Sequence, residues 1–135
     1  MEPFWKCKFG SPINKFDAKL GGFDFGVYGS PGGNFGFRVS HGKDTDRVYF
    51  FDAEKGLKMR IGPRGKTGPF EYVPPTAAEV EKFRRLLRLA MSRTRMVRAE
   101  LMRAMKRQKS ESLRTCINEH ARALEIMHRV KKAVS

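Results

Sequence analysis

From Phe35 to Val73 apolar and polar positions alternate with a period of two, the pattern of a strand with one buried face. Phe35, Phe37 and Val39 stand on one side of Gly36 and Arg38, and Leu57, Met59 and Ile61 alternate with Lys58 and Arg60. Arg47-Val48-Tyr49-Phe50-Phe51 reads as a buried strand, and Phe70-Glu71-Tyr72-Val73 as a short fourth one. A polar turn over 41–46 and a hairpin-length connection, Asp52-Ala53-Glu54-Lys55-Gly56, separate them. These segments predict a three- or four-stranded antiparallel meander whose apolar face needs a helix or a partner to cover it.

After Pro74-Pro75 the period changes. Thr76-Ala77-Ala78-Glu79 is a capping box, and Val80, Phe83, Leu87, Ala90, Thr94, Val97, Leu101 and Ala104 follow at alternating spacings of three and four. The seam predicts a helix running to about Gln108, roughly 45–50 Å long at 1.5 Å per residue. Lys109-Ser110-Glu111-Ser112 is a polar break, with Ser110 or Ser112 placed to cap a second helix carrying Leu113, Ile117, His120, Leu124, Met127 and Val130 or Val134. An antiparallel helical hairpin is the simplest outcome, and one continuous helix is the alternative. Residues 76–135 contain neither Gly nor Pro.

Residues 1–34 follow neither period. They combine dense Gly and Pro with Phe4, Trp5, Phe9, Phe16, Phe23, Phe25 and Tyr28, and Phe9-Gly10-Ser11-Pro12 is echoed by Tyr28-Gly29-Ser30-Pro31. Such punctuation argues against a helix or a long strand, yet a solvated linker carries few aromatics. The expectation is an extended segment whose aromatics dock into pockets on its own domain or a neighbour. Phe4, Trp5, Phe9, Phe23, Phe25 and Tyr28 are the protein-docking candidates. The fold class is therefore α+β: an extended aromatic and Gly-rich segment (1–34), a small antiparallel β-meander (35–73) and a basic helical hairpin (76–135).

Charge gives the hairpin a function. The 135 residues carry 28 Lys and Arg against 14 Asp and Glu, a formal net charge of +14. The distribution is uneven: residues 1–75 hold 12 cations and 8 acids, and residues 76–135 hold 16 and 6. A chain this basic attracts polyanions through its field and through counterion release. On a helical wheel Arg84, Arg88, Arg95 and Lys106 fall in one band, flanked by Arg85 and Arg103 and turned away from the apolar seam. A charged helix face is often simply solvated. Here acids are too few to pair the cations as i,i+4 bridges, and Arg, whose fork fits phosphate, outnumbers Lys. Leu89, Met96 and Met102 lie among these cations off the seam, so the helix has more than one surface to bury.

Other candidate chemistry is weaker. Gly62-Pro63-Arg64-Gly65-Lys66-Thr67-Gly68 contains Gly-Lys-Thr, but a phosphate loop needs Gly where Arg60 stands and must open into a helix, which Gly68-Pro69 prevents. It reads instead as a basic hairpin loop presenting Arg64 and Lys66 to phosphates. Cys116 and His120 stand four apart on a helix face, a spacing metals use, but two further ligands would have to come from afar; a buried Cys and a satisfied His are the simpler reading. No catalytic, metal or cofactor constellation emerges. Cys7 and Cys116 form no disulfide framework, which favours a reducing intracellular setting, mitochondrial or cytoplasmic. The N-terminus reads as neither secretory signal nor presequence, and no apolar run reaches the ~20 residues of a transmembrane helix.

Lys82-Phe83-Arg84-Arg85-Leu86-Leu87-Arg88 resembles the opening helix of the mitochondrial LYR-motif proteins, with Lys for Leu and Phe for Tyr at its start. The resemblance covers seven residues and implies a small helical accessory subunit that docks acyl carrier protein. The family's three-helix spacing and downstream Phe-Arg element are not evident, Met102 and Met105 standing there instead, so the chain is not assigned to it. The sequence is read as a non-enzymatic structural subunit of a large assembly, ribosomal or another ribonucleoprotein, contacting RNA phosphates and neighbouring subunits. The alternative is an accessory scaffold on an acidic protein complex such as a respiratory complex, ATP synthase or microtubule lattice.

Overall fold

In a computed structural model, which describes residues 15–20, 23–29, 34–41, 47–61 and 71–135, the chain forms an antiparallel sheet layered against two helices. The strands are β1 (Lys15–Leu20), β2 (Phe23–Gly29), β3 (Phe35–His41), β4 (Arg47–Asp52), β5 (Gly56–Ile61) and β6 (Glu71–Val73). They pair in chain order as a simple meander. The helices are α1 (Ala77–Arg107) and α2 (Glu111–Val134). A meander followed by a basic helical hairpin is the architecture the hydrophobic periods predict.

The register explains the burial. Phe25 faces Val39, which faces Tyr49, which faces Met59; Val27, Phe37, Phe51 and Leu57 form the next row. Cross-strand neighbours share a face, so these rows make one continuous apolar surface. Phe25, Val27, Phe37, Val39, Tyr49, Phe51 and Met59 are buried against Phe83, Leu86, Leu87, Ala90 and Met91 of α1 and Ala123, Ile126, Met127 and Val130 of α2. Phe83 is the hub: its ring meets Phe37 edge-on at 5.8 Å and Tyr49 at 6.1 Å. The opposite sheet face is not bare either. Phe50 and Val48 are buried there, with Tyr72 edge-on to Phe50 at 5.6 Å and the Arg60 guanidinium 5.7 Å from its ring centre.

The sheet begins earlier than the alternation from Phe35 foretells. β1 and β2 lie inside the stretch read as an extended docking segment, so the boundary placed between residues 34 and 35 falls within a single sheet. Of the docking candidates, left open between the chain's own domain and a neighbour, Phe25 is fully buried in the chain's own core, and Tyr28 is hydrogen-bonded within the sheet. The reason is local. Phe23-Asp24-Phe25-Gly26-Val27 alternates with Gly on the outer face, where a missing side chain leaves the strand's inner row intact. Phe23 opens β2 opposite Leu20 and His41, whereas Phe4, Trp5 and Phe9 lie outside the described residues.

The β4–β5 connection shows why Gly56 ends it. Asp52 Oδ1 accepts the backbone N–H groups of Glu54 (2.9 Å) and Lys55 (3.2 Å), and Gly56 takes φ +81°, which a Cβ would strain. The capping box at α1 is formed in full. Thr76 Oγ1 accepts Glu79 N–H at 3.3 Å, and Glu79 Oε1 accepts Thr76 N–H at 3.0 Å. The hairpin forms rather than one long helix because Gln108 turns extended at the end of α1. Ser110 then caps α2, accepting Leu113 N–H at 3.4 Å.

Candidate polyanion interface

Strands β1 to β5, at six or seven residues, span roughly 20 Å and β6 is shorter, while the 31 residues of α1 span roughly 46 Å. The helices therefore outrun the sheet. In α1 full burial ends at Thr94, and in α2 it begins at Ala123. Between them, residues 95–121 form a two-helix arm, with Val97, Leu101, Ala104, Leu113, Ile117 and Ala121 half-buried along its seam. That arm holds seven cations, Arg95, Arg98, Arg103, Lys106, Arg107, Lys109 and Arg114, against three acids, Glu100, Glu111 and Glu119.

The expected arginine band divides in two. Arg84 does structural work: its Nε and Nη2 donate to the carbonyl oxygen of Val134 at 2.7 and 2.5 Å, and its Nη1 lies 3.5 Å from Glu81. A guanidinium on the last carbonyls of a helix satisfies acceptors that have no intrahelical donor and suits the negative end of the helix dipole. Arg88 lies 3.7 Å from the same Glu81 carboxylate. Glu81 thus dilutes the proximal end of the band. Arg85, Arg95, Arg103 and Lys106 are exposed, and so are Arg93, Arg107, Lys109 and Arg114, which the wheel of α1 alone did not select. Arg64 and Lys66 lie outside the described residues.

Two cations of α2 face the sheet. Arg122 Nη2 donates to the Gly29 carbonyl oxygen at 2.5 Å, and the Arg129 guanidinium sits 4.1 Å from the centre of the Phe35 ring. They fasten the hairpin to the ends of β2 and β3. Their seven-residue spacing on α2 carries that shared face in the sequence, but the sheet partner is visible only in three dimensions.

The remaining polar centre is Tyr28, Asn34 and Asp52. The Tyr28 hydroxyl donates to Asp52 Oδ2, and Asn34 Nδ2 donates to the same oxygen at 2.9 Å. Burial first, then the adjoining Asp52 carboxylate, raises the Tyr28 hydroxyl far above its ordinary value. The cluster ties β2 and the residue before β3 to the end of β4, which makes it a fold clamp. His120 Nδ1 lies 2.6 Å from the Cys116 carbonyl oxygen one turn back, tying that ring to its own helix. Among the described residues no group of three or more His, Cys, Asp or Glu is placed to hold a metal, and no helix is long and apolar enough to cross a membrane.

The seven residues that resemble a LYR motif sit in the proximal part of α1. Phe83, Leu86 and Leu87 are buried against the sheet, and Arg84 is bound to Val134. Comparison with protein-family models, with curated proteins and with solved structures gives no match to this chain.

Proposed function

We propose that the chain is a non-enzymatic subunit of a large ribonucleoprotein assembly and that the distal arm of its hairpin, residues 95–121, is the part that lies on RNA. The observation that carries this reading is the arm's geometry: seven cations and three acids on a two-helix projection that extends past the sheet. Guanidinium and ammonium groups on such an arm gain by replacing the condensed counterions of a phosphate backbone. The sheet and the proximal helices then form the rigid base. Arg95, Arg103 and Lys106 belong to the contacting set, joined by Arg107, Lys109 and Arg114; Arg84 belongs to the base.

The experiment is a salt titration of binding to structured RNA. Each phosphate contact contributes about −0.9 to the slope of log K against log salt on duplex and about −0.7 on single strands. Changing Arg95, Arg103 and Lys106 together to Ala is expected to flatten the slope by about two to three. Absence of RNA binding at about 0.1 M salt, where the Debye length is ~10 Å, overturns the proposal.

A further inference from the structure

On the side of α1 turned away from the sheet runs a second heptad seam. Arg85, Leu89, Ser92, Met96, Ala99, Arg103 and Lys106 follow one another at spacings of four, three, four, three, four and three. That is the spacing of a helix surface made to receive another helix. The first seam of α1 is consumed by Phe83, Leu87, Ala90 and Thr94. Among the described residues the second stands open at its apolar stretch: Leu89 is 50% exposed and Met96 53% exposed, with the small side chain of Ser92 between them and half-buried Ala99 one turn beyond Met96. Large and small residues alternate along it, leaving holes beside each knob. An apolar pair at this exposure, one heptad apart, loses free energy in water that a partner helix would recover.

Charge decides which helix fits. Arg85 stands at one end of the apolar stretch and Arg103 and Lys106 at the other, with Arg88, Arg95 and Arg93 along its flanks. A second copy of this chain would bring like charge against like charge in either orientation, because both ends of the seam are cationic. We infer that this face binds an acidic amphipathic helix of another protein, one with apolar residues at heptad spacing and Asp or Glu at the flanking positions. The inference does not rest on RNA binding by the distal arm; Arg103 and Lys106 serve both readings, and Leu89 and Met96 separate the two.

The test uses three synthetic four-heptad peptides against the full chain. The first has Leu at the core positions and Glu at the flanking ones, the second replaces Glu by Lys, and the third keeps Glu but replaces the core Leu by Ser. The first peptide is expected to bind and the second not to, with the third at least tenfold weaker than the first. The double variant L89S/M96S is expected to lose the first peptide by tenfold or more while keeping its melting temperature and its affinity for RNA. The double variant R85E/R103E is expected to reverse the preference toward the Lys peptide. Equal binding of the Leu and Ser peptides overturns the inference, because attraction is then charge alone. So does unchanged peptide binding by L89S/M96S, or a loss of RNA affinity in that variant, which would assign the seam to the nucleic acid. Sedimentation of the wild-type chain as a dimer that L89S/M96S dissolves would assign it to a second copy and overturn it equally.

Discussion

Tyr28 on β2 reaches over Gly36 of β3 to hydrogen-bond Asp52 on β4. Tyr28, Gly36 and Asp52 are register neighbours across three strands, and the ring occupies the space where a Gly36 side chain would stand. A Cβ on Gly36 would lie 2.4 Å from Tyr28 Cε1 and 2.6 Å from the Phe51 carbonyl oxygen. The bond thus depends on a glycine that participates in none of its polar contacts. Tyr28→Phe is expected to cost about 1–3 kcal/mol, because it leaves the buried Asp52 carboxylate one donor short. Gly36→Ala is expected to cost about 3 kcal/mol or more, since a backbone oxygen cannot step aside as a side-chain tip can. Chemical denaturation of both variants checks the pair, and a Gly36→Ala loss below about 1 kcal/mol would show that the ring is not held over that strand.

The same bond gives a pH signature. The folded chain holds the Tyr28 hydroxyl protonated far above its ordinary value, chiefly through burial and then through Asp52. The unfolded chain binds fewer protons above pH ~10, so stability falls there as pH rises; below that pH the contribution is fully present. Denaturation midpoints measured from pH 8 to 11 are expected to fall more steeply for the wild-type chain than for Tyr28→Phe. Parallel curves would show that Tyr28 ionises alike in both states.

Phe83 is the residue on which the layers meet, fully buried and in ring contact with both Phe37 and Tyr49. Truncation to Ala removes an aromatic from a site enclosed by rings that cannot collapse onto it. A loss of about 3–5 kcal/mol is expected, read as a shift in the denaturant midpoint with little change in slope. Phe83→Leu keeps most of the volume and should recover much of the loss.

Arg84 separates the base from the arm. It bridges the start of α1 to the end of α2 through the Val134 carbonyl, with a partly exposed side chain. Arg84→Ala is expected to cost about 1 kcal/mol after allowance for that exposure and to speed amide hydrogen exchange over residues 130–135. The RNA salt slope should stay unchanged, in contrast to the Arg95, Arg103 and Lys106 variant. A flattened slope for Arg84→Ala with unaltered exchange would return this residue to the polyanion surface.

Much of the fold could be read along the chain because it is built from local signals. The alternation of Leu57, Met59 and Ile61 and the capping box at Thr76 each act within a few residues, so β5 and the start of α1 followed from neighbours alone. β2 escaped because Gly26, which reads as a breaker in isolation, stands on the strand's outer face, where it opposes Arg38 and leaves the inner row of Phe25 and Val27 intact. The arginine band met the same limit. Arg84 and Arg95 share one band of the helix, and nothing in their spacing tells that Val134, fifty residues away, claims only the first.

What the sequence by itself determined is the meander from β3 onward, the apolar seams and the excess of positive charge on the helices, all consequences of periodicity and composition. What only the tertiary structure decided is which charges are left over. Partnership of a guanidinium depends on acceptors brought near by folding: a helix end for Arg84, a strand carbonyl for Arg122, a phenyl face for Arg129. The sheet is shorter than the helices that cover it, and that difference in length, fixed by a rise of 1.5 Å per helical residue and strands of at most seven residues, leaves the distal cations beyond its edge, while the Leu89–Met96 seam faces outward because it lies on the side of α1 opposite the sheet.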